Sequence, residues 1–407
     1  MTENEKGKIL ILRLNGRIFS ILINNNRILS IRVQGSSSAI GSIYVGKVQS
    51  ISPNIGAAFV EIQKGEVTFL PLAEAKDAVL TNREADGSFK PGDELLVQLV
   101  KEPSKTKVAR VSTKLSITGN FVVVEYRHSH TDGKIRVSTK LDSGHNHLYK
   151  NLDELKKISK RFNIIIRTNA GSAESISEVV SEAGELAGRM EHILEVGDKR
   201  ICYSCLYRSE PEYITFVKNS YRYEYDEIVT DDKEIYDTFL SNSNPAFNDC
   251  KVRFYEDKIL PLYKLYSVET RIHELLDKKV WLKSGAYLVI EQTEALIAID
   301  VNTGKYESRG NPEETYFKIN LEAAEEIALQ IRARNLAGMI IVDFINMSDK
   351  EHVEQLTQRM KELLKRDAVP ANVVDITGLG LMEITRKKRD KSFIEQYCNM
   401  DELRANK

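Results

Sequence analysis

"ALIAIDVNTG" (295–304) and "GMIIVDFIN" (338–346) are aliphatic runs that each carry a single aspartate, Asp300 and Asp343. Their length and their Ile and Val content read as strands. A carboxylate in such a run is costly to bury without a partner, so each strand is expected to end at its aspartate and deliver it to a site. Helical patterns run from about Tyr316 to Arg334 and from about Lys350 to Lys365, and further strands read at "AYLVIEQ" (286–292), "NVVDIT" (372–377) and "LMEITR" (381–386). Strands alternating with helices predict an α/β layer with buried strands.

Ligands of α/β sheets gather where strands end. Two carboxylates brought together there repel one another unless a cation lies between them, and their hard oxygen atoms suit magnesium, with manganese as a substitute. Asn302 lies two residues past Asp300, on the same side of an extended chain, where its amide can bind or orient the same site. An aspartate after a strand is also a common helix N-cap or Asx-turn residue, and for either aspartate taken singly that reading stays open.

Upstream, "KILILRLNGRIFSILINNNRILSIRV" (8–33) strings aliphatic runs between Asn15-Gly16 and Asn24-Asn25-Asn26, which predicts an antiparallel meander. Five short strands follow: "IYVGKVQSI" (43–51), "GAAFVEI" (56–62), "EVTFLPL" (66–72), "PGDELLVQLVKE" (91–102) and "KVARVSTKLS" (107–116). They suit a small closed barrel of the OB type. Beyond Gly119 the pattern gives strands at "NFVVVEY" (120–126) and "KIRVSTK" (134–140), a helix near 151–161, the strand "NIIIRT" (163–168) and an amphipathic helix from Ser172 to about Leu194. The region 212–285 is mixed: a loop and a helix lead to Trp281, the one tryptophan of the chain.

A chain of 407 residues with 42% hydrophobic content fills more than one core. No apolar run is long enough to span a membrane and "MTENEKGK" has no signal core, so a cytoplasmic protein is expected. Four cysteines make no disulfide framework, in keeping with a reducing compartment. A net charge of −1 excludes a uniformly basic coat but not local patches. "KEPSKTKVARVSTK" (101–114) sets five cations against Glu102, and "RKKRDK" (386–391) is similarly one-sided; each is either a nucleic-acid contact or a solvated face. Cys202-X-X-Cys205 reads as a pair of ordinary buried thiols on an apolar strand, and the two His-X-His pairs (His128 and His130, His145 and His147) as solvated loop residues.

Three stretches, "VIEQTEALIAIDVNTG" (289–304), "NLEAAEEIALQIRARNLAGMIIVDFINM" (320–347) and "GLGLMEITRKKR" (378–389), in this order, resemble the catalytic region of the bacterial RNase E/RNase G endoribonucleases. The resemblance extends to "AAFVEI", "TFLPL" and "IIIRTNAG" upstream. It implies magnesium-dependent cleavage of single-stranded, A/U-rich RNA to 5′-phosphate and 3′-hydroxyl ends, on mRNA and rRNA precursors. It gives Asp300 and Asp343 the metal, with Asn302 beside them. It places Phe59, Phe69 and Lys107 on RNA in an S1-type barrel, and Arg167, Thr168, Gly119 and Val123 around a 5′-monophosphate. Without the resemblance, the two phenylalanines read as barrel core and the Arg-Thr pair as a surface ion-pair residue with a turn cap.

The implied architecture is a split RNase H-like domain (1–34 and 213–276) around an OB-fold barrel (35–118) and a 5′-sensor domain (119–212), followed by a DNase I-like α/β catalytic domain (277–400). Three departures stand out. Cys398 alone occupies the region of the family's Cys-Pro-X-Cys zinc link, so a homodimer would not be zinc-linked. Gly378 stands where many members carry an arginine that supports the 5′-end pocket, and Asn346 where an acidic residue is common. With no long scaffold, a compact RNase G-like protein is expected. A single-stranded RNA-binding protein without catalysis, and a metal nuclease acting on DNA, are the competing readings.

Overall fold

The computed structural model describes residues 6–34, 40–103, 108–128, 133–138, 141, 153–173, 175–241, 250–304 and 311–398. The chain forms two compact units, Ser36–Lys218, and Met1–Gly35 with Asn219–Lys407.

In the first unit, the five strands Ile43–Ser52, Ala57–Gln63, Glu66–Pro71, Glu94–Lys101 and Arg110–Ser112 close into a barrel. Closure comes from the pairing of Ile43 to Lys47 with Gln98 to Glu94, and one parallel contact, Phe69 with Arg110, joins the third strand to the fifth. This order makes the barrel S1/OB-like. Its core is filled by Val48, Ala58, Val60, Leu70, Leu95, Val97 and Val111. Beside it, a four-stranded sheet containing Val122–Tyr126 and Phe162–Ile166 packs one face on the helix Ile176–Gly197, through Val122, Val124, Ile164 and Ile166 against Val179, Ala183 and Met190. The helix starts at Ile176 rather than near Ser172, because Thr168–Ser172 forms a 3₁₀ turn first.

In the second unit, Gly7–Leu14, Arg17–Asn24 and Arg27–Gln34 form the expected meander. Its turns are the two-residue kind that needs positive φ at both positions: Asn15 and Gly16 at 53° and 75°, Asn25 and Asn26 at 44° and 60°. The sheet then adds Tyr225–Thr230 in parallel beside Gly7–Leu14, and Lys251–Phe254 outside it. Neither late strand is legible in the mixed stretch 212–285.

The other sheet of this unit has six strands in the order Lys279–Trp281, Tyr287–Gln292, Ile297–Asn302, Gly338–Asp343, Met382–Arg386 and Ala371–Ile376. The helices Pro312–Ala333 and Lys350–Leu364 pack on one face, where Ile319, Ala323, Ile327, Leu356 and Met360 meet Leu288, Ile290, Ile299, Ile340 and Val342. Both helices begin as their sequence dictates. Asn311 and Asp349 each accept a hydrogen bond from the backbone two residues on, and Pro312 opens the first helix.

The expectation of buried strands is corrected here. In Ile297–Asn302 buried residues alternate with exposed or half-buried ones, and Asp300 and Asp343 are exposed. One face of the sheet is packed and the other is open, which is how an aliphatic strand carries a carboxylate without burying it.

Candidate active site

Asp300 and Asp343 are register partners on adjacent parallel strands, Ile297–Asn302 and Gly338–Asp343. Adjacent strands lie about 4.8 Å apart and partners share a face, so the two carboxylates stand side by side on the open face. Asp343 ends its strand as expected. Asp300 does not: its strand runs on two residues to Asn302, so the carboxylate stands on the sheet face near the strand end and not beyond it. Asn302 shares that side, and its Nδ2 donates to Asp300 Oδ2 at 2.7 Å. The N-cap reading is thereby excluded for both aspartates, since the helices that follow are capped by Asn311 and Asp349.

Two solvent-facing carboxylates in register, one of them oriented by an amide, form a donor set of hard oxygens with net negative charge. Such a set fits a magnesium or manganese ion, which takes carboxylates and completes its shell with water and substrate oxygens. Among the described residues, no three His, Cys, Asp or Glu side chains cluster as a metal cage. Asn346, exposed beyond Asp343, brings its Oδ1 toward Gly380. Gly378 lies in the turn between the last two strands, and a Cβ there would meet open space.

On the barrel, Phe59 and Phe69 are direct cross-strand partners. Both are half-buried and neither joins the barrel core, which is supplied by their neighbours Ala58, Val60 and Leu70. The core reading of these rings is overturned: as cross-strand partners they stand together on the outer side of the barrel wall. Arg110 is the register partner of Phe69 on the other side, so a cation flanks the pair. Lys107 lies outside the described residues.

Arg167 and Gly119 also meet. Arg167 Nη1 donates to the Gly119 carbonyl and, at 3.3 Å, to that of Asn120, while its backbone N–H donates to Phe121 O at 2.7 Å. Thr168 follows, its hydroxyl 2.8 Å from Ser138 Oγ. Val123, paired with Ile165, stands half-buried on the sheet face away from the helix. The sheet thus gathers all four residues at one end. Sequence reasoning missed Glu182, a buried carboxylate from the helix Ile176–Gly197 that holds the turn at Gly119 to Val122 from beneath. No pattern marks it, because it faces inward at a position that helical periodicity alone assigns to the core.

Of the remaining expectations, the Cys-X-X-Cys pair is corrected. Cys202 is half-buried, with burial pushing its thiol up, but Cys205 is exposed, and residues 201–204 form a turn in which Tyr203 adopts a φ of 72°. His128 is exposed beside Tyr126; the other three histidines of the His-X-His pairs lie outside the described residues. Among the described residues, no helix is long and apolar enough to cross a membrane.

Comparison with known proteins points the same way. The profile described as Ribonuclease E/G family matches residues 116–389. The chain is 30% identical over 377 residues to Ribonuclease G of Escherichia coli K12, covering 88% of this chain and 75% of that protein. It is 32% identical over 396 residues to Ribonuclease G of Haemophilus influenzae, covering 92% and 77%. To Ribonuclease E of Buchnera aphidicola from Acyrthosiphon pisum it is 29% identical over 392 residues, covering 92% of this chain and 42% of that one.

Proposed function

This chain belongs to the ribonuclease E/G family, and we propose that it is an endoribonuclease that hydrolyses single-stranded, A/U-rich RNA with the help of magnesium or manganese. The observation that carries this reading is the side-by-side placement of Asp300 and Asp343 on an open sheet face. A protein that only binds RNA has no use for paired carboxylates, because they repel phosphate unless a cation offsets them.

Asp300 and Asp343 would hold the cation, and Asn302 fixes the orientation of Asp300 through its amide nitrogen. When bound, such an ion polarises a phosphate oxygen and lowers the pKa of a water. The contribution of the chain itself is pre-organisation. Hydrogen-bonded neighbouring strands hold the two carboxylates in register before substrate arrives, so little reorganisation is left for the reaction. An open face, unlike an enclosed pocket, admits a polymer at an internal position.

Phe59 and Phe69 supply a sequence-tolerant stacking surface for the unpaired strand. Arg167, Thr168, Gly119 and Val123 form the proposed 5′-monophosphate pocket, where a planar guanidinium matches two phosphate oxygens. Around these sites the chain reads as a split RNase H-like domain, the OB-fold barrel, a sensor domain and a DNase I-like catalytic domain. Turnover of mRNA and maturation of rRNA are the processes this activity would serve, in the cytoplasm.

The test is a labelled, unstructured A/U-rich RNA with a 5′-monophosphate, incubated with magnesium and with excess chelator. Internal cuts with 3′-hydroxyl ends are expected with magnesium, and none with chelator, Asp300→Asn or Asp343→Asn. RNA that is bound but left uncut by the unaltered protein in magnesium and in manganese would sink the catalytic reading and favour RNA binding alone.

A further inference from the structure

The open face around the carboxylates carries a second group of side chains that the cleavage chemistry does not use. Trp281 pairs with Tyr287, and Tyr287 pairs with Asn302. One row along, Lys279 pairs with Val289, Val289 with Asp300, and Asp300 with Asp343. Register partners share a face, so Trp281, Tyr287 and Lys279 stand on the face of the aspartates. At about 4.8 Å per strand, Tyr287 lies one strand from Asn302 and Trp281 two.

The three form one cluster. The rings of Trp281 and Tyr287 are 5.2 Å apart and tilted by 58°. The ammonium of Lys279 lies 3.6 Å from the centre of the Tyr287 ring and 4.1 Å from that of Trp281. The neighbouring Lys278 meets Glu291 at 2.8 Å, whereas Lys279 has no ion pair among the described residues, and Trp281 remains 62% exposed. A tryptophan recruited for packing would be largely covered; this one presents most of its surface to solvent on a sheet whose core lies on the other face. On the other side of the aspartates, Glu383 and Asp375 are register partners and add negative charge. The aspartates thus have a lysine on one side and two carboxylates on the other.

We propose that Trp281, Tyr287 and Lys279 form a base-stacking subsite for one unpaired nucleotide next to the bond that is cut. Trp281 stacks on the base, Lys279 faces the neighbouring phosphate, and Tyr287 positions the ammonium between ring and strand. An exposed ring beside a cation is the combination that grips single-stranded nucleic acid, and stacking tolerates any base. The subsite rests on the reading of Asp300 and Asp343 as the cleavage site, and its ligand is the same RNA.

Because the chain has a single tryptophan, its fluorescence reports this subsite alone. Unstructured oligoadenylate is titrated into the full chain in excess chelator, which prevents cleavage, with the anisotropy of a labelled copy followed in parallel. Saturable quenching of Trp281 is expected, relieved when one particular nucleotide in the oligonucleotide is made abasic. Trp281→Ala should weaken binding by roughly 5- to 150-fold, as expected for one stacked base, and Trp281→Phe should restore most of it. Binding by anisotropy with unmoved fluorescence, or with equal affinity in Trp281→Ala, overturns the subsite and leaves the endonuclease reading intact. No binding here, together with no cleavage of RNA by the unaltered protein in magnesium or manganese, would remove both.

Discussion

Glu182 occupies the space that a side chain on Gly119 would need: a Cβ at Gly119 would come within 2.5 Å of the Glu182 carboxyl carbon and 2.6 Å of both its oxygens. Those oxygens accept the backbone N–H groups of Asn120, Phe121 and Val122 at 2.6, 2.7 and 2.9 Å. Glu182→Ala would strand three buried donors and is expected to cost at least about 2 kcal/mol. Gly119→Ala should destabilise through the same contact, since the carboxylate must move away from its donors. Denaturant titration of both variants checks this. A midpoint unchanged in Glu182→Ala would show that the turn finds other acceptors.

The register of Asp300 and Asp343 makes a prediction that needs no RNA. Like charges directly opposite one another destabilise a sheet, so Asp343→Asn should melt at or slightly above the temperature of the unaltered protein in chelator, by up to about 1 kcal/mol in stability. An ion that binds the folded state alone raises its melting temperature with concentration. Manganese or magnesium should therefore raise the melting temperature of the unaltered protein more than that of Asp343→Asn or Asp300→Asn. Equal shifts in all three would place the ion elsewhere.

On the barrel, Phe59→Ala and Phe69→Ala are expected to weaken binding of single-stranded RNA by roughly 1–3 kcal/mol each, the usual loss for one stacked base. Neither ring belongs to the barrel core, so the fold should survive both changes. Val60→Ala, next to Phe59 but pointing inward, should do the opposite and lower stability with little direct effect on RNA. Anisotropy and melting curves on the three variants separate the two roles.

What was legible in the sequence follows from range. The meander, the five barrel strands and the strand-helix alternation after residue 286 are written in local periodicity and in turn residues such as Asn15-Gly16, and they are found where read, though the fifth barrel strand is shortened to Arg110–Ser112 and Ser116–Thr118 joins another sheet. Tyr225–Thr230 was not legible, because its place is fixed by pairing with Gly7–Leu14, more than two hundred residues away, and no local pattern encodes a partner so distant. Lys279–Trp281 escaped because three residues are too few to show alternation. The aspartates are visible as interruptions in apolar runs, but their setting is not: a run of Ile and Val looks the same whether helices cover both faces or one. Half-burial of Phe59 and Phe69 is likewise a property of the closed barrel, and sequence pattern alone favoured the core.

The distant pairing in the split sheet also predicts how stability responds to acid. Glu227 lies between Lys8, at 2.9 Å, and Arg253, at 2.7 Å, on the strands to either side. Burial pushes the Glu227 carboxyl up, but the hydrogen bonds from Arg253 and Lys8 outweigh it and hold the group below the usual carboxylate range. A carboxylate whose folded pKa is lowered binds protons less readily folded than unfolded. Its contribution is complete above the unfolded value of about 4.5 and is lost as pH falls through the lower folded value. Glu227→Gln should therefore be less stable than the unaltered protein at neutral pH, with the gap closing as the solution is taken below about pH 4. Urea midpoints of both proteins at a series of pH values test this. A gap that stays constant into the acid range would mean that the carboxylate acts through packing, and that charge does not tie the first strand of the chain to the strands added after residue 224.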